Sequence, residues 1–143
     1  MLRMISIVCA LLLGASFVYA QSTAIAERKD ILKGFGAAAR DPGAMLKGEA
    51  AFDLAKVQNF LKVLQDGSPK LKALFPADSK SGGETKALPA IWDNQADFFA
   101  RFDKLAADAK AAEVAIKDEA SFKTELPKVL GNCGGCHRPY RGQ

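Results

Sequence analysis

Apolar side chains recur every three or four residues along most of the chain, and the alternation typical of β-strands is nearly absent. The first periodic segment places on one face Ile25, Arg28, Leu32, Phe35 and Ala39. The tripeptide Asp41-Pro42-Gly43 then interrupts the period, because proline removes a backbone hydrogen-bond donor. The pattern predicts a first amphipathic helix that kinks or breaks at this tripeptide.

A second helix is predicted from Asp53, whose side chain is suited to an N-cap. Its apolar stripe has coiled-coil-like spacing and consists of Leu54, Val57, Leu61 and Leu64. Gly67-Ser68-Pro69 is predicted to end this helix. The stretch that follows, "FPADSKSGGETKA", is predicted to be a loop, since its glycine pair permits backbone conformations that other residues avoid.

Two further helices complete the pattern. Pro89 suits the first turn of a third helix, whose stripe is Trp92, Ala96, Phe99, Phe102, Ala106 and Ala109. A fourth helix is predicted to begin between Asp118 and Thr124. One side of it carries Leu126, Val129, Leu130, Cys133 and His137. Four amphipathic helices with mostly short connections and no strands predict an all-α fold, an antiparallel four-helix bundle.

The first 20 residues, "MLRMISIVCALLLGASFVYA", have the features of a cleaved signal peptide. Arg3 is followed by a short apolar run and then by small residues at Val18-Tyr19-Ala20. The run is shorter than the roughly 20 residues that a membrane span needs, although a retained anchor is the alternative. We therefore expect residues 21–143 to form one exported domain with no membrane span.

The charge pattern gives no indication of nucleic-acid binding. The whole chain has a net charge of +4, and loss of Arg3 with the signal peptide would lower it by one. The lysines are spread along the chain instead of forming a basic cluster, which is typical of an ordinary solvated surface.

The chain ends in "GNCGGCHRPYRGQ", where Cys133, Cys136 and His137 form a C-x-x-C-H motif. Such a motif is typical of covalent c-type haem, in which both thiols bond to the haem vinyl groups and the imidazole binds iron. Zinc would need a further ligand such as a carboxylate, a dithiol redox site belongs after a strand, and a simple disulfide is the remaining alternative. Gly134 and Gly135 weaken a helix by about 1 kcal/mol each, but they let a macrocycle lie close to the backbone.

Few residues could complete the iron coordination. His137 is the only histidine, and Met45 is the only methionine that remains once Met1 and Met4 leave with the signal peptide. A lysine or the N-terminal amine would first have to lose its proton. The sixth position is therefore expected to hold Met45 or to be open.

Four stretches of the chain resemble the cytochrome c′ family, the class II c-type cytochromes. They are "AIAERKDIL", "MLKGEAAFD", "GGETKALPAIW" and "CGGCHRPYR", and the last is the most specific. The resemblance implies a periplasmic four-helix bundle with one covalent haem c near the C-terminus. It also implies a homodimer that pairs through the first two helices.

The resemblance also implies the coordination of the iron. In the family, the residue four positions after the first-helix arginine packs on the distal face of the iron, and it is methionine in six-coordinate members. Here Leu32 stands four residues after Arg28. Met45 lies thirteen residues further on, which is about 20 Å along a straight helix. We therefore expect a five-coordinate, high-spin iron, and core packing for Met45.

Other residues gain expected roles from the resemblance. Arg28 and Lys29 would lie near the haem propionates, although relatives often have glutamine in place of Lys29. Glu84 and Thr85 match the family turn in the same region. Phe75 and Trp92 would pack on the haem or simply in the core, and Tyr140 is expected in the core. Arg141, four residues after His137, would lie in the proximal pocket.

Together these expectations describe a periplasmic haem protein that binds small gases, nitric oxide and carbon monoxide, and can cycle its redox state with a periplasmic partner. In relatives, nitric oxide displaces the histidine and ends on the proximal side, where Arg141 would matter. The alternative is a six-coordinate, low-spin electron-transfer cytochrome of the same family. An enzyme such as a peroxidase is not expected, because peroxide cleavage relies on a distal histidine or arginine.

Overall fold

A computed structural model describes residues 23–143, and the proposed signal peptide lies outside this range. Helix α1 covers residues 23–38, followed by α2 (Arg40–Leu46) and α3 (Leu54–Leu71). Two 3₁₀ turns, Lys72–Leu74 and Ala77–Ser79, lead to α4 (Ala90–Asp93), α5 (Gln95–Ala115) and α6 (Glu119–Tyr140). The long helices form the expected antiparallel four-helix bundle, in which α5 packs against both α3 and α6.

The helix breaks follow from local chemistry. Because Pro42 has no N–H to donate to the carbonyl of Ala38, the helix is interrupted at Ala39 and resumes at Arg40. This confirms the interruption that the Asp41-Pro42-Gly43 tripeptide predicts. At α3, the Asp53 carboxylate accepts a hydrogen bond from the backbone N–H of Lys56 at 3.1 Å, so the predicted N-cap is also confirmed.

The predicted ends and stripes of two helices need correction. α3 does not stop at Gly67-Ser68-Pro69 but continues to Leu71, with Pro69 inside the helix. The third predicted helix is divided, because Asn94 takes a non-helical backbone conformation between α4 and α5. Its buried stripe is therefore shifted, with Ala96 exposed and Phe98 buried.

α6 begins at Glu119, inside the predicted interval, and runs through both Pro127 and Pro139. Its start is fixed by a capping box in which the Asp118 carboxylate accepts from the backbone N–H of Ser121 at 2.8 Å. The Ser121 hydroxyl oxygen accepts from the Asp118 N–H at 3.1 Å in return. No helix within residues 23–143 combines the length and apolar character needed to cross a membrane.

The core consists of two clusters at different places in the bundle. The Met45 cluster includes Met45, Val57, Phe60, Leu61, Leu64, Leu105, Ala109, Ala112, Ile116, Phe122, Leu126 and Val129. The Phe75 cluster includes Leu71, Phe75, Ile91, Phe98, Phe102 and Tyr140. Ile31, Phe35, Trp92 and Cys136 are partly buried against the Phe75 cluster. The C-x-x-C-H motif therefore adjoins the Phe75 cluster, whereas Met45 belongs to the other.

The Gly67→Ala substitution tests how closely α1 approaches α3. A Cβ at residue 67 would lie 2.5 Å from Cε1 of Phe35 and 3.2 Å from Cγ2 of Ile31, so the Phe35 ring would have to move. Alanine is favoured over glycine in an exposed helix by about 1 kcal/mol. We expect the steric cost to outweigh this gain, so that the free energy of unfolding falls by about 1–2 kcal/mol. Urea unfolding followed by circular dichroism measures this change.

Gly43→Ala in α2 is the matched control, because a Cβ there meets nothing within 4 Å. It should leave stability unchanged or raise it. An equal gain in both variants would contradict close packing of α1 on α3.

Candidate functional site

The C-x-x-C-H motif lies in the last turns of α6, and the helix continues through both glycines. Cys133 and Cys136 are three residues apart and His137 follows Cys133 by four, so the three side chains share one region of the helix surface. A Cβ at Gly134 would meet nothing within 4 Å, and one at Gly135 would meet only Nη1 of Arg101, at 3.9 Å. The helix surface between the two thiols is therefore open.

The environment of the motif favours neutral side chains. Burial raises the pKa of both thiols, and at Cys136 the positive charge of Arg101 opposes this rise. Burial lowers the pKa of His137, and the charge of Arg141 lowers it further. By accessible surface, His137 and Cys133 are exposed and Cys136 is half-buried, so this desolvation is partial. The lowered pKa of His137 favours the neutral imidazole, the form in which histidine binds metal ions.

Arg28 of α1 is 2 % exposed and holds the loop that follows α3. Its Nη1 donates to the carbonyl of Leu74 at 3.0 Å and to the hydroxyl of Ser79 at 2.7 Å. Its Nη2 donates to the carbonyl of Ser79 at 2.9 Å and to the hydroxyl of Thr85 at 2.8 Å. The guanidinium also lies 4.6 Å from the centre of the Phe75 ring. We call this arrangement the Arg28 clamp.

All four acceptors in the clamp are neutral, and burial lowers the pKa of Arg28. The terminal N–H groups are therefore engaged by the protein itself. The clamp joins α1 to residues 74–85, which is a role that the sequence did not indicate. Contact between Arg28 and a haem propionate stays a prediction.

Leu32 lies one helical turn after Arg28 on α1, and its side chain is 37 % exposed. Among residues 23–143, Leu32 and Val114 are the exposed large apolar side chains. Met45, the other candidate for the iron site, is 5 % exposed and packed in the Met45 cluster. The structure thus leaves Leu32 accessible and Met45 enclosed.

The other residues expected near the propionates cluster around one turn. Lys29 donates from Nζ to the carbonyl of Gly83 at 3.3 Å. Glu84 is exposed and has a left-handed backbone with φ of 52°, as has Gly83 before it. The hydroxyl oxygen of Thr85 accepts from the backbone N–H of Ala87 at 3.2 Å and from Arg28. These residues are brought together by the Arg28 clamp.

The aromatic residues Phe75 and Trp92 are neighbours, with ring centres 6.2 Å apart. Phe75 is buried, while Trp92 is partly exposed and donates from Nε1 to the carbonyl of Phe75 at 3.1 Å. Phe75 is thus a core residue in its own right. A haem contact for Trp92 or Phe75 stays a prediction.

Arg141 lies just beyond the end of α6 in an extended conformation, and its charge acts on His137. Its place in the proximal pocket stays a prediction. It pairs with Ala87 as an antiparallel bridge. The N–H of Leu88 donates to the carbonyl of Tyr140 at 3.0 Å, and that of Gly142 to the carbonyl of Lys86 at 2.8 Å. This pairing ties the end of α6 to residues 86–88.

A further group that the sequence analysis missed lies against the motif. Arg101 of α5 donates from Nη1 to the carbonyl of Gly135 at 2.8 Å and from Nε to Asp97 at 2.7 Å. The hydroxyl of Tyr140 donates to the same Asp97 oxygen at 2.5 Å. The spacing of Asp97 and Arg101 could have indicated their ion pair, but not their contact with α6.

These features fit a flat apolar group bonded to both thiols. The thiols are one turn apart beside an open glycine surface, and Cys136 borders an aromatic cluster. That Leu32 of α1 lies over such a group stays a prediction. Neutral His137 supplies the imidazole nitrogen that haem iron takes as a ligand.

Comparison with known proteins agrees with this fit. A family model described as Cytochrome C′ matches residues 23–141. The cytochrome c′ of Rhodopseudomonas palustris is 53% identical over 142 residues, which cover 99% of this chain and 97% of that protein. A solved structure of cytochrome c′ from Rhodopseudomonas palustris superposes with a TM-score of 0.83 and 56% identity, covering 84% of this chain and 96% of that one. A cytochrome c-556 of Agrobacterium fabrum is 32% identical over 98% of this chain and 97% of its own length.

The Arg28→Leu substitution tests the clamp. It removes a buried cation that satisfies two carbonyls and two hydroxyls, so we expect the free energy of unfolding to fall by about 3 kcal/mol. Arg40→Leu is the control on an exposed arginine and should change stability by less than about 0.5 kcal/mol. Urea denaturation of the two purified variants measures both values. Equal small changes would contradict the clamp.

Acid stability tests the Asp97 interactions. The hydrogen bond from Tyr140, and then that from Arg101, hold the pKa of Asp97 below its ordinary value of 3.8. Because the folded pKa is the lower one, this stabilisation is present above about pH 4 and is lost as the pH falls through the folded pKa. The stability difference between wild type and Asp97→Asn should therefore shrink below pH 4 in thermal melts. Asp103→Asn, which loses only the exposed pair with Lys72, is the control, and a pH-independent difference for Asp97→Asn would contradict the assignment.

Proposed function

Because this chain belongs to the cytochrome c′ family and carries its c-type haem, we propose that it is a periplasmic gas-binding haem protein. Its iron has His137 as the single strong protein ligand and binds nitric oxide and carbon monoxide. The observation that carries this proposal is the contrast in exposure between Leu32 on α1 and Met45 on α2. Leu32 is accessible one turn after the clamped Arg28, whereas Met45 is enclosed in a separate cluster.

Three residues of α6 hold the haem in this proposal. Cys133 and Cys136 form the two thioether bonds, and neutral His137 binds the iron. The bound haem supplies an iron that exchanges one electron and binds diatomic gases. The burial that lowers the pKa of His137 supports this role, because a protonated imidazole has no lone pair for a metal.

The enclosure of Met45 supports an open sixth position. Its side chain packs with residues such as Val57 and Phe60 rather than with the Phe75 cluster that Cys136 borders. Delivering its sulfur to the iron would require the Met45 cluster to open, and removing a buried methionine from a core costs about 2–5 kcal/mol. An uncovered position on the iron requires less rearrangement.

Leu32 determines which gases bind in this proposal. An isobutyl side chain offers no hydrogen-bond donor, so a ligand that gains negative charge, such as dioxygen, is not stabilised. Nitric oxide and carbon monoxide do not depend on such a donor. Arg141, whose charge acts on His137, supplies a donor on the proximal side.

The proposal assigns gas binding and electron exchange, not catalysis. Peroxide cleavage uses a distal histidine or arginine. The only histidine of the chain is the proximal one, and the terminal N–H groups of Arg28 are engaged by Leu74, Ser79 and Thr85. Export through residues 1–20 and pairing of two copies through the first two helices complete the proposal. Export rests on the signal-peptide features of residues 1–20, and pairing rests on the family resemblance.

Absorption spectra of the purified holoprotein test the open position. We expect high-spin bands in both oxidation states, and a new spectrum when carbon monoxide or nitric oxide is added to the ferrous protein. Low-spin bands in both states that do not change with carbon monoxide would contradict the proposal. They would instead indicate a six-coordinate electron-transfer cytochrome.

The Leu32→Met substitution provides a second test, because it puts a thioether at the place where we propose the open position. The ferric spectrum should become low-spin, and the affinity for carbon monoxide should fall about tenfold or more, since the thioether must first be displaced. Met45→Leu is the control and should leave both measurements unchanged. A low-spin wild type that becomes high-spin in Met45→Leu would show that Met45 is the sixth ligand.

A further inference from the structure

We propose that Arg101 is a positioning residue for the haem-bearing turn of α6, oriented by Asp97 and Tyr140. This inference rests on the attachment of haem at Cys133, Cys136 and His137. It concerns an arginine on α5 that belongs to a different helix from the motif. Its contact is with the peptide group that joins Gly135 to Cys136.

The inference begins with a hydrogen bond that α6 cannot form. In an α-helix the carbonyl of Gly135 would accept from the N–H of residue 139. Residue 139 is proline and has no N–H. The carbonyl of Gly135 therefore lacks its helical donor in the turn that carries Cys136 and His137.

Arg101 supplies the missing donor from the neighbouring helix, with Nη1 at 2.8 Å from the Gly135 oxygen. The guanidinium cannot turn away easily, because its Nε donates to Asp97 at 2.7 Å. The Asp97 carboxylate is in turn held by the Tyr140 hydroxyl at 2.5 Å. The guanidinium also lies 5.3 Å from the centre of the Tyr140 ring.

These contacts form a closed ring that passes through α6 twice. It leaves α6 at the Gly135 carbonyl, crosses Arg101 and Asp97 of α5, and returns at Tyr140. His137 lies inside the enclosed stretch of helix, between the two points of attachment. The stretch has a glycine at one end and a proline near the other, so it has weak helical restraint of its own.

The ring therefore sets the orientation of His137 relative to the haem. When Arg101 is lost, Gly134 and Gly135 can relax, and the imidazole can tilt through several positions. The strength of the iron–imidazole bond depends on that tilt. Nitric oxide weakens this same bond, so Arg101 influences how readily the histidine is displaced.

Substitution of Arg101 by leucine in the holoprotein tests this inference. The readouts are the iron–histidine stretching band of the ferrous protein in resonance Raman spectra and the reduction potential. We expect Arg101→Leu to shift and broaden the band and to shift the potential. Lys72→Leu is the matched control. Like Arg101→Leu, it removes a basic side chain that pairs with an aspartate of α5, here Asp103, but Lys72 has no hydrogen bond to α6. It should leave both readouts unchanged.

Restoring the backbone donor gives the most specific test. In the double variant Arg101→Leu with Pro139→Ala, the N–H of residue 139 can donate to Gly135, so the iron–histidine band should return to its wild-type position. The part of the potential shift that comes from the lost Arg101 charge should remain. A residue that only stabilises the fold would not be replaced in this way. A double variant that keeps the band of Arg101→Leu would overturn the inference, as would an unaltered band in Arg101→Leu.

Tyr140→Phe is the milder variant, to be used if Arg101→Leu does not fold. It keeps the aromatic side chain and removes only the hydroxyl that holds Asp97. We therefore expect a smaller shift of the iron–histidine band in the same direction, and an unshifted band would count against the inference. Wild-type spectra separate the two proposals. If the protein carried no haem, the wild type would show no haem spectrum. If the iron had a sixth ligand, the wild type would show no iron–histidine band, and a difference in potential between Arg101→Leu and the double variant, which have the same charge, would then report on positioning.

Discussion

The buried guanidinium of Arg28 is the interaction on which the arrangement of this protein depends. It binds Leu74, Ser79 and Thr85 at once, so it joins α1 to the loop that follows α3. A cation with 2 % exposure and neutral acceptors is stable only while all these acceptors remain in place. Because the clamp fixes α1 at residue 28, it also fixes Leu32 one turn later. The apolar side chain that we propose to cover the iron is thus positioned by a polar network.

Helix α6, which carries the C-x-x-C-H motif, is held by a different set of polar contacts. The start of α6 has a capping box, and its end pairs with residues 86–88. Between them, Arg101 replaces the hydrogen bond that Pro139 removes. Met45 belongs to a different core cluster from the one that Cys136 borders. The proposed five-coordinate iron thus depends on two things: His137 binds one side, and we propose that no methionine or second histidine reaches the other.

The sequence predicted those features that depend on neighbouring residues. The cap at Asp53, the interruption before Pro42 and the start of α6 are local effects, and each was located correctly. The break at Asn94 was missed, because no proline or glycine follows Pro89 in this segment to indicate it. The acceptors of Arg28 lie 46 to 57 residues away in the chain, so periodicity contains no information on them. The Gly135 carbonyl is an instructive case, since the missing donor at Pro139 can be read from the sequence whereas the donor from α5 cannot.

The most direct test of the central claim is the coordination number of the iron in the wild-type holoprotein, measured by X-ray absorption at the iron edge. The account predicts five-coordinate iron in both the ferric and the ferrous protein, with one imidazole nitrogen as the only ligand outside the porphyrin. A sixth protein ligand in either state, and sulfur from Met45 most of all, would contradict it.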